Sequence, residues 1–231
     1  MLSSCLTLDD SDNLLVMAAD HIWDDSKFCS CVKEGLDLVD SGIVVFGIKP
    51  SYPETGYGYL NFENNKLIKF VEKPNLKVAE EYFKSDNYLW NSGNFLFNVG
   101  IMKYEFQKHA SDIYQSVNNT LENSKKCDTS ISLNSDYFEK VRDESIDYAI
   151  MEFHKDGKVV LYDGYWSDIG SFKSLHQHLE KDSNNNVIQG DVKTIETHTK
   201  PGEIDDKKLL FGPIPIGNKI IVMEKKVKDK I

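Results

Sequence analysis

Two short runs without a polar side chain, residues 14–19 (LLVMAA) and 43–48 (IVVFGI), restrict the fold of this chain more than any other feature. Six apolar residues in a row are too few for a helix buried on every side. They suit strands covered on both faces of a parallel sheet. Between them, Asp24 or Asp25 is placed to cap a helix reaching about Ser41, with Phe28, Val32, Leu36 and Val39 on one face and Gly42 after its end. Strand, helix, strand is the unit of α/β architecture, whose strands present functional side chains at their carboxyl ends. Asp20 directly follows the first run and is a candidate metal ligand; the structural alternative is a cap for the next segment.

Farther along, residues 57–62 read as a strand ending at the Asn64-Asn65 turn, and residues 67–71 as a strand delivering Glu72 and Lys73 to its end, where Pro74 stops ladder pairing. A carboxylate accepts from hydroxyls and a lysine supplies a point charge, so this pair suits a ligand with hydroxyls at one place and a phosphate at another. The plain alternative is a surface salt pair of little energetic worth. Residues 89–97 (LWNSGNFLF) offer an amide and a small-residue turn before a strand at 95–97. Helices are expected over 77–85 and 99–109, and weakly around 113–121, with residues 125–130 (KKCDTS) as a surface insertion. Residues 145–152 read as a capped turn or short helix, 159–162 as a strand, and 171–179 as a helix; 209–222 is β-prone despite Pro213 and Pro215.

At 231 residues the chain has room for one or two domains. A net charge of −10 without a basic block excludes a nucleic-acid or anionic-membrane binder, while local lysines, backbone amides or a divalent cation still permit a small phosphate ligand. Cys5, Cys29, Cys31 and Cys127 form no CxxC pair and read as free thiols of a reducing compartment. No apolar run approaches the roughly 18 to 20 residues of a membrane span, and a cytoplasmic location is expected.

The ordered set GYGYL (56–60), FVEKP (70–74) and WNSG (90–93) resembles the sugar-phosphate nucleotidyltransferases, most closely the mannose-1-phosphate guanylyltransferases. MAADH (17–21), FGIKPSYPETGYGYL (46–60), SIDYAIME (145–152) and GYWSDIGSF (164–172) continue it in the family's order, over roughly residues 14–192. The resemblance implies an α/β, Rossmann-like (GT-A-like) fold with a mixed, mainly parallel sheet flanked by helices. It implies a reaction in which mannose-1-phosphate attacks GTP to form GDP-mannose and pyrophosphate. Asp20 and Asp168 match the two aspartates that hold Mg2+, and Lys73 the lysine that contacts the sugar phosphate. Glu72 and Asn91 match groups that read sugar hydroxyls, and Gly58 a position where a side chain would block approach to the sugar. Asp147 and Glu152 are candidates to support the pocket, whereas Trp90 and Trp166 read as packing residues.

The family's glycine-rich triphosphate loop and first strand have no counterpart here, because Met1 lies only about twenty residues before Asp20. An N-terminally truncated enzyme is therefore expected, with impaired GTP binding and no activity of its own. The alternatives are a non-catalytic sugar-phosphate binder and a nucleotidyltransferase for another sugar-1-phosphate. Residues 1–192 form the expected partial nucleotidyltransferase domain and 193–231 a β-prone extension. An unpaired edge at 14–19 or a neighbouring strand would favour self-association or a complementing N-terminal segment.

Overall fold

The computed structural model describes residues 1–128, 130–170, 172–188, 210–216 and 219–224. In chain order these form α1 (Leu2–Cys5), β1 (Asn13–Val16), β2 (Ile22–Trp23), α2 (Asp25–Leu36), β3 (Val44–Ile48), β4 (Tyr59–Glu63), β5 (Lys66–Val71), α3 (Leu76–Phe83), β6 (Tyr88–Asn98), α4 (Val99–His109) and α5 (Ser111–Glu122). There follow β7 (Lys125–Cys127), β8 (Ser130–Ser132), α6 (Ser135–Phe138), β9 (Lys158–Tyr162), β10 (Trp166–Ser167), α7 (Phe172–His178), β11 (Leu210–Ile216) and β12 (Lys219–Glu224). A 3-10 turn covers Val39–Ser41 and a π-helical turn Asp147–Met151. The chain divides into two compact units, Met1–Ala19 with Trp23–Trp166, and Asp20–Ile22 with Ser167–Ile231.

The larger unit is built on a six-stranded sheet in the order β1-β6-β3-β9-β5-β4, in which β6 also pairs with β4. This is the expected mixed sheet flanked by helices, but its balance differs from the expected mainly parallel one. Among the described residues only β3 and β9 run parallel, and the β1–β6, β3–β6, β4–β5, β4–β6 and β5–β9 pairs are antiparallel. One of these pairs has a local cause. The Asn64-Asn65 turn, with φ of 48° and 60°, folds β5 directly back on β4, and such a two-residue connection can join only antiparallel strands.

Alternation of side chains across the pleat gives the sheet two buried faces. Val45, Phe95, Phe97 and Val159 pack on one side with Met102 and Phe106 of α4 and Ile113 and Val117 of α5. Val44, Phe46, Leu96, Val160 and Tyr162 pack on the other with Phe28 and Cys31 of α2 and Ala79 of α3. The 43–48 run is thus a strand buried on both faces, as read. The 14–19 run is not: its strand stops at Val16, is only partly buried, and lies antiparallel to β6 at the end of the sheet.

Two further expectations are corrected. The anticipated turn at WNSG is absent, because β6 continues from Tyr88 to Asn98 and absorbs Ser92, Gly93 and Asn94 as a bulge against β3, with Gly93 at φ 70°. The first long helix ends at Leu36, which is 45% exposed; Cys31 and Gly35 take its place on the buried face, and Val39 is buried from the 3-10 turn. The Asp24 side chain caps this helix by accepting from the Ser26 and Lys27 amides.

Residues 125–127 (β7) and 130–132 (β8) are exposed and pair antiparallel, and the four cysteines are free. In the second unit, β11 and β12 pair antiparallel, while the rest of 193–231 lies outside the described residues. Among the described residues no helix is long and apolar enough to cross a membrane. Phe97 is fully buried, so Phe97→Ala is expected to cost about 3 to 5 kcal/mol. Ile68→Ala, at a position 53% exposed, is expected to change stability by no more than roughly 0.5 kcal/mol. Urea midpoints at unchanged m-value measure both.

Candidate functional site

In the larger unit, pairing of β4 with β5 and β6 brings the ends of three sequence clusters together. The Asn91 amide N–H donates to the Gly58 carbonyl at 2.7 Å, tying the GYGYL and WNSG segments directly. A Cβ built on Gly58 would lie 2.7 Å from Glu72 Oε2, 3.2 Å from Phe70 Cζ and 3.4 Å from Asn91 Cβ. Gly58 therefore lies between the carboxylate and the amide, and its missing side chain leaves the space they border. The sequence-predicted Gly58, Glu72, Lys73 and Asn91 thus form one cluster.

Lys73 is held there against its local preference. Its φ is +41°, although it precedes Pro74, and a residue before proline favours extended backbone. Pro74 is buried and anchors the reversal. Lys73 Nζ lies 3.3 Å from Glu72 Oε1, with the lysine side chain 62% exposed and the glutamate side chain 11% exposed. The ammonium is open to an anionic ligand, while the carboxylate sits in a half-desolvated wall. Backbone strain of this kind costs on the order of 1 to 3 kcal/mol and persists where packing over-determines it.

Asp147 completes the group. Asn91 Nδ2 donates to Asp147 Oδ1 at 3.4 Å, and the Gly93 amide donates to Asn91 Oδ1 at 3.2 Å. Burial pushes the Asp147 carboxyl up to about 6; Glu72 and Glu152 add to the rise, and Lys73 opposes it. Trp90 is buried in the core with Tyr52 and Tyr57 edge-on to its ring at 4.9 and 5.3 Å, which bears out its reading as a packing residue.

The smaller unit holds Asp20, His21 and Asp168. Burial lowers the His21 pKa, and the charges of Asp20 and Asp168 act on it in the opposite sense. The loop at Asp168 is strained in its own way. Ile169, a β-branched residue, sits at φ +46°. The Gly170 amide donates to Asp168 Oδ1 at 3.2 Å, and a Cβ on Gly170 would lie 2.7 Å from Asp168 Oδ2. Among the described residues no group of three or more His, Cys, Asp or Glu side chains is arranged to hold a metal. Two oxygen-donor side chains are what a hard divalent cation takes from a protein when phosphate oxygens and water complete its shell.

Asn94 was not singled out from the sequence. It is fully buried, accepts from the Ala18 amide at 2.8 Å through Oδ1 and donates to the Ser92 carbonyl at 3.1 Å through Nδ2. It holds the backbone at Ala18, just past β1, and the second asparagine of WNSGN was the only sign of it.

The raised Asp147 pKa has a consequence for stability. The folded state binds the proton more tightly than the unfolded chain, so its contribution is full below about pH 4 and lost as pH rises through about 6. Asp147→Asn is therefore expected to stabilise the chain at pH 7.5, on the order of 1 to 3 kcal/mol, and to do little at pH 4. Thermal melts of both proteins at the two pH values measure this; equal shifts at both would remove the electrostatic explanation.

Residues 2–185 match the Nucleotidyl transferase family model. The chain is 40% identical over 196 residues to an Escherichia coli protein named mannose-1-phosphate guanylyltransferase, covering 80% of this chain and 42% of that one. It is 42% identical over 193 residues to the Salmonella montevideo protein of the same name, covering 78% and 41%. The chain thus spans less than half the length of the curated relatives it matches. A crystal structure titled mannose-6-phosphate isomerase from Helicobacter pylori superposes with a TM-score of 0.68 at 30% identity, over 72% of this chain and 68% of that one. With the motif residues assembled and the family match covering most of its length, the chain belongs to the nucleotidyl transferase family.

Proposed function

We propose that this chain takes part in mannose-1-phosphate guanylyl transfer, in which a sugar-phosphate oxygen bonds to the α-phosphorus of GTP and the bond to the departing pyrophosphate breaks. The observation that carries the reading is the convergence of Gly58, Glu72, Lys73 and Asn91 in one cluster. Names of the similar proteins support the ligand, since they share a mannose phosphate.

In this reading Glu72 accepts from sugar hydroxyls and Asn91 donates to one, while Gly58 lets the ring approach the backbone. The exposed Lys73 ammonium neutralises the sugar phosphate, so that two anions can be brought together. Asp20 and Asp168 would hold Mg2+, whose role when bound is to neutralise phosphate charge and fix its geometry. The strained Ile169 and the close Gly170 keep the Asp168 carboxylate folded on its own loop rather than free to rotate.

A coupled pyrophosphate-release assay over several nucleotide and sugar-1-phosphate pairs tests the activity. Turnover with GTP and mannose-1-phosphate supports the full reaction. Binding of mannose-1-phosphate without turnover would reduce the function to sugar-phosphate recognition. Lys73→Ala is expected to weaken mannose-1-phosphate binding by roughly tenfold or more, the worth of a charge-assisted contact. Lys69→Ala, in the same strand, is expected to leave binding unchanged. Equal effects in calorimetric titrations would mean that FVEKP is only a salt-bridged strand end.

A further inference from the structure

We propose that Asp147 is a positioning residue for the hydroxyl-reading group, holding the Asn91 side chain in the orientation in which it meets the sugar. The proposal rests on the reading of this cluster as a sugar-phosphate site.

Both ends of the Asn91 amide are engaged, Nδ2 by Asp147 Oδ1 at 3.4 Å and Oδ1 by the Gly93 amide at 3.2 Å. A primary amide has two hydrogens and two lone pairs, so one N–H and one lone pair remain for a ligand. With the ends fixed, Asn91 offers its free N–H at a defined place, and Glu72 across Gly58 offers an acceptor. A hydroxyl both accepts and donates, and can satisfy such a pair at once. Were the amide free to flip, its oxygen would be presented instead, and the pair would become two acceptors.

The backbone under Asp147 is suited to the task. It begins a π-helical turn, a rare conformation that recurs at functional sites. Ala149, Ile150 and Met151 of that turn are buried in the core, so the carboxylate is anchored from behind. The charged groups that act on it are Glu72 and Lys73 from the end of β5 and Glu152 from beyond the turn; Asn91 of β6 is neutral. Its ionisation near pH 6 follows from burial and from Glu72, so the charge-assisted bond to Asn91 strengthens as pH rises through that value. At 3.4 Å the bond is long and has room to shorten.

The test uses the whole chain, labelled with nitrogen-15. The Asn91 side-chain amide signals are expected to shift with a midpoint near pH 6 and to lose that transition in Asp147→Asn. A flat response in the unsubstituted protein overturns the proposal without any substitution. Mannose-1-phosphate and glucose-1-phosphate are then titrated calorimetrically from pH 5 to 8 into both proteins. The ligand phosphate ionises near pH 6 as well, so the readout is the difference between the two profiles. Asp147→Asn is expected to weaken binding by roughly tenfold at pH 7.5 and by little at pH 5. Equal affinities at every pH, with cooperative melting of the variant, would remove the positioning role and leave the sugar site standing. If the unsubstituted chain binds neither sugar phosphate, the reading of the site fails and the role falls with it.

Discussion

Much of this structure depends on β6 keeping its backbone hydrogen-bonded on both sides while it carries polar residues through the core. Its C-terminal half pairs with β1 and β3, and its N-terminal half with β3 and β4. Between the halves lie Ser92 and Asn94, 1% and 0% exposed. A buried polar group left unpaired costs on the order of 1 to 3 kcal/mol, so the bulge must satisfy itself. It does so largely from within: the Asn94 amide N–H donates to Ser92 Oγ at 3.3 Å, Asn94 Nδ2 to the Ser92 carbonyl, and Asn94 Oδ1 receives the Ala18 amide. One consequence is that Asn91 meets Gly58; another is that Ala18, just past β1, is held by a side chain in the middle of the sheet.

Around that strand the cluster gathers charges that would be more stable apart. Glu72 and Glu152 raise the proton affinity of Asp147, and Lys73 offsets only part of that repulsion from a strained backbone position. A fold selected for stability alone would separate those carboxylates or neutralise them. Keeping them close to Asn91 costs folding free energy, and the carboxylates remain as hydrogen-bond acceptors. The strain at Ile169 in the other unit has the same character, as a local backbone cost that accompanies a fixed carboxylate.

The double-sided core explains how such costs are tolerated. Val44, Val45, Phe46, Val159 and Val160 are all essentially inaccessible, and α2, α4 and α5 cover the two faces. Burial of that many large side chains at about 1.5 to 3 kcal/mol each gives the sheet the rigidity that the cluster beside β4, β5 and β6 needs. Asn91 lies within a rigid strand, and Glu72 directly follows one.

The sequence by itself determined the elements whose cause is local. The apolar run 43–48 became a doubly buried strand, Asp24 caps the helix that follows it, and Asn64-Asn65 supplies the left-handed turn between β4 and β5. It also marked the side chains that the fold gathers into one cluster, because carboxylate, lysine, glycine and amide stood in short ordered motifs. Tertiary structure decided the rest. The 14–19 run became a partly buried edge strand, since an apolar stretch specifies that it is covered but not by which neighbour or in which direction. WNSG became strand rather than turn because β3 and β4 offered ladder partners that no local rule records. Asp147 and Asn94 acquired their roles through hydrogen bonds to residues 56 and 76 positions away. Such contacts depend on long-range pairing of the sheet, and spacing along the chain carries no trace of them.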